Sequence, residues 1–309
     1  MDVVMIDQDD RLAPVPSWLR GVVLFSLFGM ASVSLADSVC VEDDLQRLVC
    51  LEAPAERIIS LSPGVTELLF AAGAGERIVG TTSFSDYPEA AEAIPRIGSY
   101  KRIDMENLLA KEPDLVVAWI SGNPTEQVER LDELGLTVYW GEQRDFEDIA
   151  HTLERYGQLA GTESAANQAA RDFRAGIAEL NERHADAPVV PYLYQIWDDP
   201  MMTVNGEHLI SEAAAVCGGE NIFGDLPRLT PRVDRESVLA ADPEVIVAGG
   251  MGESNPAWLD PWREYRDMTA VKRDNLFFIP PSTIQRPTPR LLEGMRTLCD
   301  QLEEARERR

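Results

Sequence analysis

The chain has 309 residues, 45% hydrophobic and 26% charged, enough for one large or two ordinary domains with a buried core. Asp and Glu number 53 against 28 Lys and Arg, a net charge of −25, which argues against the phosphate backbone of a nucleic acid, where affinity comes from Lys and Arg neutralising phosphates. The apolar content equally excludes a disordered acidic chain.

In chain order, the first feature is GVVLFSLFGMASVSL (21–35), an apolar run after Arg20 with Ser34 and Ala36 at −3 and −1. Residues 1–36 therefore read as a secretory signal peptide cleaved after Ala36; the run is short of the roughly 20 residues that a membrane span requires. The first ten residues carry four acids and no base, which a later start such as Met5, or an over-long gene assignment, would explain. An exported chain is expected to form disulfides, and four cysteines allow three pairings. Residues 37–54 contain VCVEDDLQRLVCL, two short β-type segments around an acidic turn, so a Cys40–Cys50 bridge would staple a hairpin and leave Cys217 and Cys299 for each other. Zinc is the alternative, but no CxxC occurs and the chain has only His151, His184 and His208, widely spaced.

The first lobe is expected over residues 55–160. RIISLSP (57–63) is a strand ending in Ser62-Pro63, an N-cap followed by proline at the first helical position, and VTELLFAAGAG is the helix, closing on glycines. Residues 161–187 form a connecting helix, with Phe173, Ile177 and Leu180 at helical spacing over about 20 residues or ~30 Å. A flexible hinge would be Gly/Ser-rich, so large domain closure is not expected. In the second lobe, 188–309, VVPYLYQIW is a strand and EHLISEAAAVCGGENIFG a helix ending at Gly218-Gly219.

A long-range repeat supports two lobes of one plan. DMENLLAKEPDLVVAWISGNP from Asp104 and DRESVLAADPEVIVAGGMGESNP from Asp234 each start a short helix, pass a proline (Pro113, Pro243) and enter a buried strand followed by a polar loop. The expected fold is α/β, two Rossmann-like lobes with mainly parallel sheets joined by one long rigid helix.

Ligands of such folds sit at the carboxyl ends of strands, between lobes. The loops there carry Phe84, Tyr87, Tyr100, Trp119, Trp197, Trp258 and Arg286, which suits a large, flat, partly apolar ligand. Each has a structural alternative: core capping for Trp119, a turn aromatic for Tyr87, core packing for Tyr100 and Trp197, lobe packing for Trp258 and Trp262, an ion pair for Arg286. No GxSxG, HExxH, P-loop or GxGxxG motif occurs. The three histidines lie near Glu154, Glu182 and Glu207 and read as solvated. What remains is binding without catalysis, with no metal or cofactor.

RIISLSPGVTELLFAAG, SDYP (85–88), PDLVVAW with GN (122–123), VCGGENIF and RPTPRLLEGMRTLC resemble the periplasmic substrate-binding components of ABC importers with a rigid helical backbone, which take cobalamin, siderophores or haem. Over about residues 55–302 the segments look most like the cobalamin-binding members of that group. The resemblance implies ligand contacts at Tyr87, Tyr100, Trp119 and Trp197, near Gly64 and Arg286. Tyr100 stands for a tryptophan. A second-lobe tryptophan falls near Thr230, where this chain has no aromatic, and Ser282 to Gln285 lack the acidic and aromatic residues of the group, so cobinamide or another corrinoid stays open. The resemblance also pairs Cys217 with Cys299. It implies Glu106 and Glu236 as docking carboxylates for an ABC permease dimer in the inner membrane, and a monomeric periplasmic protein. A siderophore or haem carrier is the alternative within the group, and an exported metal- or cluster-dependent enzyme the alternative outside it.

Overall fold

The computed structural model describes residues 38–250 and 252–309; the expected signal peptide, 1–36, lies outside the described residues. At the N-terminus β1 (Val39–Glu42) and β2 (Leu48–Leu51) pair antiparallel with Cys40 opposite Cys50, and the two are disulfide-bonded. The turn between them is tied by Asp43, whose carboxylate accepts from the Leu45 and Arg47 amides and the Arg47 guanidinium. Arg47 also donates to the Val138 carbonyl, at 2.9 Å, so the hairpin is sewn to the first lobe.

The first lobe runs β3 (Ile58–Ser60), α1 (Pro63–Ala71), β4 (Ile78–Gly80), a two-residue antiparallel pair β5 (Gly98–Ser99) and β6 (Arg102–Ile103), α2 (Met105–Leu109), β7 (Leu115–Trp119), α3 (Thr125–Glu133), β8 (Val138–Gly141) and α4 (Phe146–Ala160). The second runs β9 (Val190–Gln195), α6 (Leu209–Val216), β10 (Gly219–Asn221), α7 (Arg235–Ala241), β11 (Val245–Ala248), α8 (Thr269–Lys272), β12 (Leu276–Phe278), α9 (Pro281–Ile284) and α10 (Leu291–Glu307). Between them lies α5 (Glu163–His184). The sheets are parallel, ordered β4-β3-β7-β8 and β10-β9-β11-β12. Counted within each lobe, both orders are the same, with the first strand between the second and third.

Strand alternation explains how each sheet is covered on both faces. Ile58, Val117 and Tyr139 point to one side, with Leu68 of α1 and Leu153 of α4, while Ile59, Val116 and Trp140 point to the other, with Leu108 of α2 and Leu131 of α3. In the second sheet Tyr192 and Val247 face one way and Leu193 and Ile246 the other. The cluster containing Ile58 and Tyr139 continues through Ala166, Ala170, Phe173 and Leu180 of α5 to Tyr192, Val247 and Leu298. One apolar core thus passes from lobe to lobe along α5, whose buried residues form a single stripe.

α4 ends at Gly161, in the left-handed region at φ 61°, a conformation that glycine adopts without steric cost. Cys217, just after α6, is bonded to Cys299 of α10. Among the described residues no helix is long and apolar enough to cross a membrane.

Candidate functional site

The carboxyl ends of β3, β7 and β8 in one lobe and of β11 and β12 in the other open onto one cleft. A cavity of about 320 Å³ is lined by Gly64, Phe84, Tyr100, Trp119 and Gln143 from the first lobe and Glu253, Gln285 and Arg286 from the second. A second, of about 460 Å³, shares Trp119, Gln143, Gln285 and Pro287 with it and adds Arg144, His208, Leu229 and Thr230. The shared walls make the two a single trough.

Local chemistry fixes the first-lobe wall. Ser62 caps α1 by accepting from the Val65 amide at 3.2 Å, with Pro63 in the first turn, so Gly64 is presented at the start of a fixed helix. Trp119 closes β7, and a Cβ on Gly122 would sit 1.9 Å from its indole; only glycine lets the ring lie on the loop. Buried Asn123 accepts from the Trp119 amide (2.7 Å) and donates to the carbonyls of Leu61 and Tyr100 (2.9 Å each). One side chain therefore locks three loops, and the Tyr100 and Trp119 rings sit 5.9 Å apart, tilted by 47°. Asn123 belongs to the Gly122-Asn123 pair of the loop after β7, and sequence pattern alone does not reveal its positioning role.

Arg286 reaches from the second lobe into the first. Its Nη1 donates to Glu67 (2.7 Å) and Asp86 (3.0 Å), and its Nη2 to the Phe84 carbonyl (3.3 Å). Thr288 donates to the other Glu67 oxygen at 3.0 Å, and Arg290 lies 3.3 Å from it. Glu67 is 4% exposed. Burial raises its pKa above the ordinary carboxylate value, opposed by Arg286, Arg290 and Thr288. Arg286 is thus part of an inter-lobe clasp on the cleft wall.

The remaining expected contacts fall elsewhere. Tyr87 stacks against the Arg290 guanidinium at 3.9 Å and lines a separate 360 Å³ cavity with Glu67 and Arg290. Trp197 is 41% exposed and meets Trp258 edge-on at 5.7 Å, outside the residues lining either part of the trough. Trp262 is buried in the second lobe and donates to Gln195. Of the six expected contacts, Gly64, Tyr100, Trp119 and Arg286 come together; Tyr87 and Trp197 stand apart from them.

The reading of all three histidines as solvated is corrected for His208. It lines the trough, its Nδ1 accepts from the Ile210 amide at 3.1 Å as the N-cap of α6, and burial lowers its pKa to about 4. The neighbouring Glu207 reads in sequence as part of a solvent-facing helix, and a histidine cap gives no local signal, because capping preference centres on Ser, Thr, Asp and Asn. Among the described residues no cluster of His, Cys, Asp or Glu could hold a metal ion.

The two repeat carboxylates occupy matched positions. Asp104 and Asp234 cap α2 and α7 by accepting from the amides of Asn107 and Ser237. Glu106 and Glu236 are each the second residue of their helix, exposed, and neither joins an ion pair with a described residue.

Comparison with known proteins agrees with this architecture. The chain is 33% identical over 262 residues to a protein of Vibrio parahaemolyticus named vitamin B12-binding protein, covering 85% of this chain and 94% of that one. A protein of the same name from Yersinia pestis is 34% identical over 80% of this chain and 86% of its own. The crystal structure of the periplasmic vitamin B12 binding protein of Vibrio cholerae superposes with a TM-score of 0.76 at 34% identity, covering 82% of this chain and 99% of that one. A periplasmic haem-binding protein from Pseudomonas aeruginosa, 20% identical with a TM-score of 0.69 over 79% of this chain and 91% of its own, shares the fold. Residues 58–283 match the family described as periplasmic binding protein, and the chain belongs to that family.

Proposed function

We propose that this protein is the periplasmic component of an ABC importer that captures cobalamin, or a related corrinoid, in the inter-lobe trough and delivers it to the membrane permease. It binds without catalysis and without a cofactor of its own. The observation that carries the reading is the tilted Tyr100–Trp119 pair facing a trough whose inter-lobe arginine is already neutralised. Aromatic faces hold a broad, partly apolar macrocycle by dispersion and stacking. A ferric catecholate would instead require several uncommitted cations, whereas Arg286 is spoken for by Glu67 and Asp86, which leaves Arg144 alone among the arginines lining the trough. Tyr87 and Trp197 would add to the site at its margins, where a ligand larger than the trough extends past its rim.

The test is a titration of residues 37–309 with cyanocobalamin, cobinamide, haem and a ferric siderophore, followed by calorimetry and tryptophan fluorescence. One-to-one saturation with a corrinoid and quenching of the indole emission are expected; saturation with haem or the siderophore alone would reject the proposal.

For delivery, Glu106 and Glu236 form the pair that a permease dimer reads, because two like lobes present the same acid to two identical subunits. Glu106→Lys with Glu236→Lys should leave ligand affinity unchanged and abolish stimulation of transport or ATP hydrolysis by the reconstituted importer, most strongly at low salt. Stimulation that persists would return both residues to ordinary helix-start acids, favoured by the helix dipole.

A further inference from the structure

His208 stands between the polypeptide and the trough with its two ring nitrogens in different situations. Nδ1 accepts the Ile210 N–H at 3.1 Å, so in the neutral ring the proton is on Nε2. Burial lowers the pKa to about 4, which keeps the ring neutral at the pH of the periplasm. Nε2–H has no acceptor among the described residues, and the ring forms part of the 460 Å³ wall together with Trp119, Leu229 and Thr230. The other ionisable groups on that wall are Glu142, Arg144 and Glu207, and none of them pairs with the imidazole.

From this geometry we infer that His208 is a fixed hydrogen-bond donor in the trough, holding an acceptor oxygen of the ligand through Nε2–H, and that it does not ligate the ligand's metal. The inference rests on the corrinoid reading and names the chemistry that one side chain recognises: an amide carbonyl or a phosphodiester oxygen. The exclusion of metal ligation follows from proton placement. A metal needs the Nε2 lone pair, and moving the proton to Nδ1 would turn that nitrogen's N–H against the Ile210 N–H and remove the cap of α6. The protein therefore suits a macrocycle whose axial positions are filled without it.

His208→Asn separates the two roles, since asparagine retains capping and lacks the reach of the imidazole; His208→Ser is a second cap-retaining variant. The probes are cyanocobalamin and cobinamide, which keeps the peripheral amides and lacks the nucleotide phosphodiester. For an amide acceptor both corrinoids should bind roughly three- to ten-fold more weakly to either variant, and for a phosphodiester cyanocobalamin alone should weaken, by roughly ten- to a hundred-fold. Melting temperatures near that of the unaltered protein would show that the cap survives. Unchanged affinity for both corrinoids in the two variants would overturn the donor role. A haem absorption spectrum that shifts with the unaltered protein and not with His208→Asn would overturn the exclusion of metal ligation. An unaltered protein that binds neither corrinoid overturns the corrinoid reading itself, and the inference with it.

Discussion

Single residues decide the shape of the binding wall. Asn123 satisfies the Trp119 amide and two carbonyls. Asn123→Ala is expected to weaken corrinoid binding as Trp119→Ala does, by about 1–3 kcal/mol for loss of a buried aromatic contact or of its alignment; isothermal titration of the two variants and their double checks this, and a double no worse than Trp119→Ala alone is the expected outcome. Trp119 was legible as a loop aromatic at the end of a strand; the lock that Asn123 forms was not, because its two carbonyl partners, Leu61 and Tyr100, lie 62 and 23 residues away. The Glu67–Arg286 contact was not, since its partners are 219 residues apart and neither residue type at its position betrays a partner. Titration adds a second prediction. Burial, with Asp145 and Asp148 nearby, pushes the Glu212 carboxyl up to about 7. A raised carboxyl pKa means that Glu212 contributes most below about pH 4.5 and that the contribution is lost as pH rises through 7. Because the group is partly exposed, screening reduces the effect to about 1 kcal/mol. Glu212→Gln should melt above the unaltered protein at pH 8, with the difference gone by pH 4.5. His208, with its pKa lowered to about 4, acts in the opposite sense, losing stability as pH falls from 6.5, so the comparison must be made between variants and not from one pH profile.

At the scale of elements, those with strong local signals were legible. The Ser62 cap and Pro63 mark the start of α1, and the repeated acid pairs mark α2 and α7. The connecting segment expected over 161–187 contains α5 at Glu163–His184. The β5–β6 pair, two residues a side, and the four-residue helices α8 and α9 went unread because so few residues cannot establish a period; their conformations are set by packing. α5 matters most, since it touches both lobes. Gly176 allows it to meet α10: a Cβ there would lie 2.6 Å from the Leu292 side chain. Gly176→Ala gains helix propensity, by about 1 kcal/mol, yet overpacks a buried contact at a cost of about 1–3 kcal/mol. Net destabilisation by urea denaturation is the expected result, and Gly176→Ala with Leu292→Ala should recover part of it.

For the whole molecule, a shared core along α5 and the ionic clasp set the spacing of the lobes. Glu67→Ala leaves Arg286 and Arg290 without their buried counter-charge, and breaking such a pair costs about 3–5 kcal/mol. Chemical denaturation should register that loss, while Glu67→Gln, which keeps hydrogen bonding to Thr288 and Arg286, should lose less. The two-lobe plan was legible because the repeat is long and its motifs carry strong helix-start and strand signals. The lobes' mutual placement was not, because it depends on contacts such as Arg286 to Glu67 that no local pattern encodes. The central claim concerns what occupies the space they enclose. Diffraction from crystals grown with cyanocobalamin, recorded at the cobalt absorption edge, tests it most directly: one anomalous peak in the trough, with the corrin against Tyr100 and Trp119 and beyond ligating distance of His208, is the predicted result, and a protein whose trough shows no cobalt at saturating cyanocobalamin would contradict it.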